Sequence, residues 1–261
     1  MGIDSGRIVT LTTDFGQKDP YVGVVKGVIL SRFPQASIVD LNHEIPPFDI
    51  IAGAWSLKIS VPYFKSGSIH IAVVDPAVGS QQRRIALELD DGIMLAPDNG
   101  LTTPFIETAK KAYALEKPQF FLSSVSKTFH ARDVFAPVAA HLLSGTPLRE
   151  MSVEVDKNSL TRIDGLEPRT DAGLTEGMIV YVDRYGNLLT NINADIKPRI
   201  KEIRINKQSL KIADGSYDTI DDGQAQVLGG SHGYLEIAAR QASAQNILNV
   251  KCGEKVHIVT E

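Results

Sequence analysis

Residues 68–84 read Ser-Ile-His-Ile-Ala-Val-Val-Asp-Pro-Ala-Val-Gly-Ser-Gln-Gln-Arg-Arg. Ile69, Ile71, Val73 and Val74 make an apolar run rich in β-branched residues, the signature of a buried strand. Asp75-Pro76 stops it, because proline cannot donate to a sheet ladder. Gly79 and Ser80 form a turn, and Arg83 and Arg84 follow. A carboxylate therefore stands at the end of a buried strand, one loop away from two guanidinium groups. In open α/β sheets, ligands bind beyond the carboxyl ends of the strands. The plainer reading is an aspartate that caps a turn and pairs with a surface arginine.

The preceding sequence repeats the arrangement. Residues 7–13 are a β-rich run ended by Asp14-Phe15-Gly16, a second carboxylate at a strand's end. Helical spacing follows from Tyr21 to Phe33, with Val22, Val25, Val28, Ile29 and Phe33 apolar. Asp19 is the expected N-cap and Pro20 the first helical residue. Gly16, Gly23 and Gly27 do not form the G-x-G-x-x-G dinucleotide fingerprint. Gly23 and Gly27 are expected to let the helix lie close to the sheet. Ile38-Val39-Asp40-Leu41 reads as a short strand. In the loop that follows, His43 and Glu44 lack metal-ligand spacing, so His43 is expected to bond to backbone. Phe48 to Ser60 has helical spacing, with Asp49 in its first turn.

Beyond residue 84, Ile85–Leu89 and Ile93–Ala96 flank Asp90-Asp91-Gly92 as a hairpin. A helix is expected over 101–109. Residues 127–137 open another that continues through Leu143, with His130, Arg132 and Asp133 at its start, where backbone N–H groups are free. Charged and loop-forming residues dominate from about Thr146 to Gly177, which predicts an α/β domain over 1–165 and a second domain over 170–261. Short strands at 177–183, 202–205, 233–238 and 255–259 predict a small antiparallel β-barrel, with Arg184-Tyr185-Gly186-Asn187 as a turn.

Composition narrows the classes of function. The net charge is −4, with no basic block, which argues against a nucleic-acid partner. The single cysteine, Cys252, allows no intramolecular disulfide. No run of about 18 apolar residues predicts a membrane span, and residues 1–6 lack the apolar core of a signal peptide. The expectation is a soluble cytoplasmic protein.

Five stretches together resemble one family, the S-adenosylmethionine hydroxide adenosyltransferases, relatives of the fluorinases and chlorinases. They are Thr12-Thr13-Asp14-Phe15-Gly16, His43-Glu44-Ile45-Pro46-Pro47-Phe48-Asp49, Val73-Val74-Asp75-Pro76-Ala77-Val78-Gly79, Phe129-His130-Ala131-Arg132-Asp133 and Val182-Asp183-Arg184-Tyr185-Gly186-Asn187-Leu188. They occur in the family's order and span almost the whole chain. The resemblance implies an N-terminal α/β domain, a C-terminal β-barrel, and a homotrimer with substrate at the subunit interfaces. It implies hydrolysis of S-adenosylmethionine to adenosine and methionine with no metal and no cofactor. Asp75, His130 and an arginine of the 83–84 pair, expected to be Arg83, would bind and activate water. Asp14 would hold the ribose diol. Asp183, Tyr185 and Asn187 would lie on the substrate, with Ser231, Arg240 and Ala242 from the tail that resembles the adenine-contact region.

The chain departs from the family pattern at Ala77 and Ala131, where glycine is usual, and in a loop between Gly79 and Arg83 that is one residue longer. Three other readings stand beside the hydrolase. An adenosyl-halide synthase has an aromatic residue where this chain has Asp75, a charge that repels halide. A non-catalytic sensor of S-adenosylmethionine or adenosine has no need of a water-activating group. A metal hydrolase would use His43, Asp75, His130 and Asp133.

Overall fold

The structure, a computed structural model, describes residues 8–260; the expectation for residues 1–6 lies outside them. Contacts divide the chain into two compact units, Met1–Arg162 and Ile163–Glu261.

The first unit is built on β1 (Ile8–Thr13), α1 (Tyr21–Arg32), β2 (Ser37–Asn42), α2 (Ile50–Ser60), β3 (Ser68–Val73), β4 (Arg84–Glu88), β5 (Gly92–Pro97), α3 (Thr103–Ile106), β6 (Lys111–Ala114), α4 (Ala136–Leu143), α5 (Leu148–Met151) and β7 (Val153–Val155). Its sheet runs β2-β1-β3-β5-β4-β6-β7. The pairs β1–β2, β1–β3 and β3–β5 are parallel, and the remaining pairs are antiparallel. β3 is buried along its whole length, including the polar Ser68 and His70 among its apolar residues. Ile69, Ile71 and Val73 share one core cluster with Val22, Val25 and Ile29 of α1 and with Val134, Phe135 and Val138 near the start of α4. On α2, a Cβ added to Gly53 would meet Leu101 at 2.8 Å and Val74 at 3.1 Å, so glycine permits that contact.

Several local expectations change. Pro20, not Asp19, flanks the start of α1, with no side-chain cap. Gly23 and Gly27 are exposed, and nothing lies within 4 Å of a Cβ at either, so neither serves close packing. Phe48 lies outside α2 at φ 70°. Asp49 caps that helix, its Oδ1 accepting the Ala52 N–H at 2.9 Å. The helix expected over 101–109 shrinks to α3, because Asn99 turns the chain by donating to Val74 O at 2.8 Å and accepting from Leu101 N. The helix after residue 127 opens with a π-type turn, Ala131–Phe135, before α4. Insertions of this kind recur at functional sites.

The second unit contains β8 (Arg169–Asp171), β9 (Leu174–Val182), β10 (Leu188–Asn193), β11 (Ile200–Ile205), β12 (Gln208–Ser209), β13 (Ala225–Gly229), β14 (Tyr234–Ala239), α6 (Ala244–Leu248) and β15 (Lys255–Thr260). The strand order is β12-β11-β15-β9-β10-β14-β13, with β8 on β9, and every pair is antiparallel. A bridge between Ile212 and Val227 joins the segment after β12 to β13, bringing the sheet's two ends together as a curled, barrel-like sheet. Its interior is a cluster of alternate strand residues that includes Ile179, Ile203, Ile237 and Ile258.

Candidate active site

Parallel pairing decides where the carboxylates stand. Thr13 of β1 pairs with Val73 of β3, so Asp14 and Asp75 emerge from the same edge of the sheet. β5 runs parallel to β3 and delivers a third strand-end carboxylate, Asp98. Asp14, Asp75 and His130 line a cavity of about 690 Å³, with Phe15, Phe48 and Phe129 among its walls. That volume lies in the range of small-molecule sites.

Each group is held by its neighbours. Asp14 Oδ2 accepts the backbone N–H of Phe48 at 2.9 Å. Phe48 is left 69% exposed at the cavity. A left-handed backbone on a bulky residue is costly, and such strain gathers at functional sites. The turn beside Asp14 rests on a relay through buried His43 to the exposed Asp40. His43 Nδ1 lies 2.8 Å from Thr13 Oγ1, and His43 Nε2 lies 3.0 Å from Asp40 Oδ1. Gly16 N–H also donates to the His43 carbonyl. His43 thus bonds through its ring to side chains, rather than to backbone as expected.

Asp75 Oδ1 accepts from Gln82 Nε2 at 3.0 Å. Burial pushes its carboxyl above the ordinary aspartate range, against the Gln82 amide, the Ala77 N–H and the charge of His130; the nearby Asp14 adds to the rise. His130 stands at the start of the π-type turn. Burial holds its imidazole below the ordinary range, the charge of Arg84 adds to this, and Asp75 and Asp133 oppose it. His130 is therefore neutral near pH 7 and able to accept a proton.

The expected arginine, Arg83, is engaged elsewhere. Its Nε donates to Asp98 Oδ2 at 2.8 Å, and its other nitrogens reach Ser159. Arg84 is the member of the pair whose charge acts on His130. Its guanidinium lies 5.8 Å from the Phe121 ring centroid, and its buried Nε has no hydrogen-bond partner. Asp133 is fully buried and taken up by Arg132 and the Ser126 N–H. Among the described residues, no group of three or more His, Cys, Asp or Glu side chains could hold a metal ion.

In the second unit, Asp183, Tyr185, Asn187 and Ala242 line a cavity of about 640 Å³. Asp183 organises its turn by accepting from the Tyr185 and Asn187 N–H groups and from Asn187 Nδ2. Tyr185 stands 78% exposed. Gln241 and Ser243, beside Ala242 in the tail, also line this cavity, and so does Tyr217, which sequence reading missed. Tyr217 Oη donates to Glu236 Oε1 at 2.7 Å; burial and that bond push its hydroxyl pKa up to about 12. Ser231 is exposed. Arg240 is exposed and pairs with Asp222 at 3.4 Å. Neither is among the residues lining this cavity.

Comparison with known proteins adds the family. The model of the SAM hydroxide adenosyltransferase N-terminal domain matches residues 9–152, and that of the C-terminal domain matches 177–257. The chain belongs to the SAM hydroxide adenosyltransferase family. Full-length similarity agrees. It is 34% identical to an "(R)-S-adenosyl-L-methionine hydrolase" of Thermus thermophilus, over 97% of this chain and 100% of the relative. A Methanocaldococcus jannaschii protein of the same description is also 34% identical, over 97% of this chain and 95% of that one. A fluorinase of Actinoplanes sp. is more distant, 28% identical over 99% of each chain. An uncharacterized conserved protein of Thermotoga maritima has the same fold, with a TM-score of 0.88 and 32% identity, covering 97% of this chain and 99% of that one. No helix among the described residues of this SAM hydroxide adenosyltransferase is long and apolar enough to cross a membrane.

Proposed function

We propose that the chain hydrolyses S-adenosylmethionine to adenosine and methionine. The observation that carries this reading is the cavity in which two strand-end carboxylates, Asp14 and Asp75, meet His130, in a chain of this family. Water attacks C5′ of the substrate. The O–C5′ bond forms, the C5′–S bond breaks with its electron pair going to sulfur, and one proton is released. Sulfur leaves as a neutral thioether, so the leaving group needs no acid, metal or redox cofactor. The difficulty is the nucleophile. Asp75 and His130 hold water and take its proton; burial favours the neutral imidazole, and the charge of Arg84, rather than Arg83, adds to that effect.

Asp14 offers acceptor oxygens to the ribose hydroxyls, with Phe48 as the adjacent wall. Asp183, Tyr185, Asn187 and Ala242 contact the rest of the substrate, and Ser231 and Arg240 belong to the same tail. The protein works as a homotrimer with substrate at subunit interfaces, in the cytoplasm, without nucleic acid. A half-buried carboxylate at position 75 disfavours halide as the nucleophile, which supports hydrolysis over halogenation. Incubation with S-adenosylmethionine followed by chromatography tests the activity. Accumulating adenosine is the expected result. Bound but intact ligand identifies a sensor, and a 5′-halogenated nucleoside formed in halide salt identifies a halide synthase.

A further inference from the structure

Arg83 and Arg84 both follow the Asp75 loop, yet the hydrogen bond to Asp75 comes from Gln82. The reason lies in the loop's path. Gly79 takes φ +84° with its Cα against the Lys127 carbonyl, where a Cβ would lie 2.1 Å from that oxygen. Ser80 Oγ then accepts the Gln82 N–H at 3.2 Å and turns the chain back. Asp98, at the end of the neighbouring parallel strand, captures Arg83. Arg84 begins β4, with its guanidinium over Phe121. Of the side chains at 82–84, that leaves the carboxamide of Gln82 to meet Asp75.

We propose that Gln82 is a positioning residue for the reaction, its amide fixing the plane of the Asp75 carboxylate that holds the attacking water. This rests on the hydrolase reading. A neutral donor orients the carboxylate through one oxygen without placing a full positive charge beside it. A guanidinium there would orient Asp75 equally well but weaken it as a base. Besides Gln82, the groups acting on Asp75 are the Ala77 N–H, Asp14 at the end of β1 and His130 at the start of the π-type turn, with Arg84 acting in turn on His130.

The test uses the full chain with Gln82→Ala and the near-isosteric Gln82→Glu, each checked by thermal melt and adenosine titration. Gln82→Ala is expected to lower kcat about ten- to a hundredfold, because a loosely held base misplaces the water, while adenosine affinity is retained. Gln82→Glu sets a second carboxylate against Asp75, so the acidic limb of kcat/KM against pH should move to higher pH. Parental kcat in Gln82→Ala, or a slower Gln82→Glu with an unmoved acidic limb, overturns the proposal. Absence of adenosine from the parent protein would instead refute the hydrolase reading. In that event, carbon-13 NMR titration of the Asp75 carboxyl decides the contact by itself. A higher midpoint in Gln82→Glu supports it, and an unchanged midpoint overturns it.

Discussion

At the residue scale, the proposed mechanism divides the work of the pair at 83–84 between stability and chemistry. Arg83→Ala removes the partner of Asp98, whose buried carboxylate keeps only the Thr161 N–H. Its expected cost is about 1–3 kcal/mol of stability, with turnover per folded site little changed. Arg84→Ala should do the reverse. Loss of its charge removes part of what holds the His130 pKa down, so proton NMR of His130 should titrate at higher pH and the acidic limb of turnover against pH should move up with it. Equal melting losses with unaltered His130 titration would contradict this division. Asp75→Asn keeps shape but loses the charge that attracts a proton. It should retain adenosine affinity and lower turnover by about 10²–10⁴-fold, measured as adenosine formed at saturating substrate. Asp14→Ala belongs with binding. Loss of a charged acceptor should weaken adenosine by about ten- to a hundredfold in isothermal titration. Unchanged affinity in a folded variant would remove Asp14 from the ribose site.

At the element scale, the caps and the loop after β3 are the weak points. Asp49 satisfies a free N–H at the start of α2, directly after the strained Phe48. Asp49→Ala is expected to cost about 1 kcal/mol, read as a lower melting temperature. Gly79→Ala should be more severe, because both its positive φ and the Lys127 carbonyl oppose a side chain. The strands themselves were plain in the sequence. Ile69–Val74 and the hairpin around Asp90-Asp91-Gly92 carry their own periodicity and turn residues, and both form as read. Elements that depend on distant contacts were not legible. Asn99 ends the stretch after β5 by bonding to Val74, which sequence spacing does not encode. β13 also escaped notice, since Ala225-Gln226-Val227-Leu228-Gly229 is short and acquires its strand character from β14.

At the scale of the whole molecule, stability should depend on a buried histidine. His70 in β3 has Nδ1 2.9 Å from Thr10 Oγ1 on β1, and burial lowers its pKa to about 4. Unfolding restores the ordinary value near 6.5. Between these values the unfolded chain binds more protons, so stability falls as pH drops from about 6.5 to about 4, by on the order of 3 kcal/mol. Urea midpoints across this window should follow that slope, and His70→Gln should flatten it. A slope identical in both proteins would exclude His70 as its source. The trimer proposed above predicts a sedimentation mass of about three chains at micromolar concentration; a monomer that hydrolyses S-adenosylmethionine at full rate would exclude it.

Sequence by itself determined the alternation of apolar runs and turns, and with it the α/β unit, the antiparallel unit and the family motifs. These follow from local chemistry: β-branched periodicity, proline and glycine punctuation, and carboxylates at strand ends. Tertiary structure decided which of those groups meet. Parallel register brought Asp14 and Asp75 to one edge. Asp98 on the adjacent strand drew off Arg83, leaving Gln82 on Asp75 and Arg84 to act on His130. The choice between neighbouring arginines is a competition among partners distant in sequence. It is settled by where the folded chain places a buried carboxylate that must be paired.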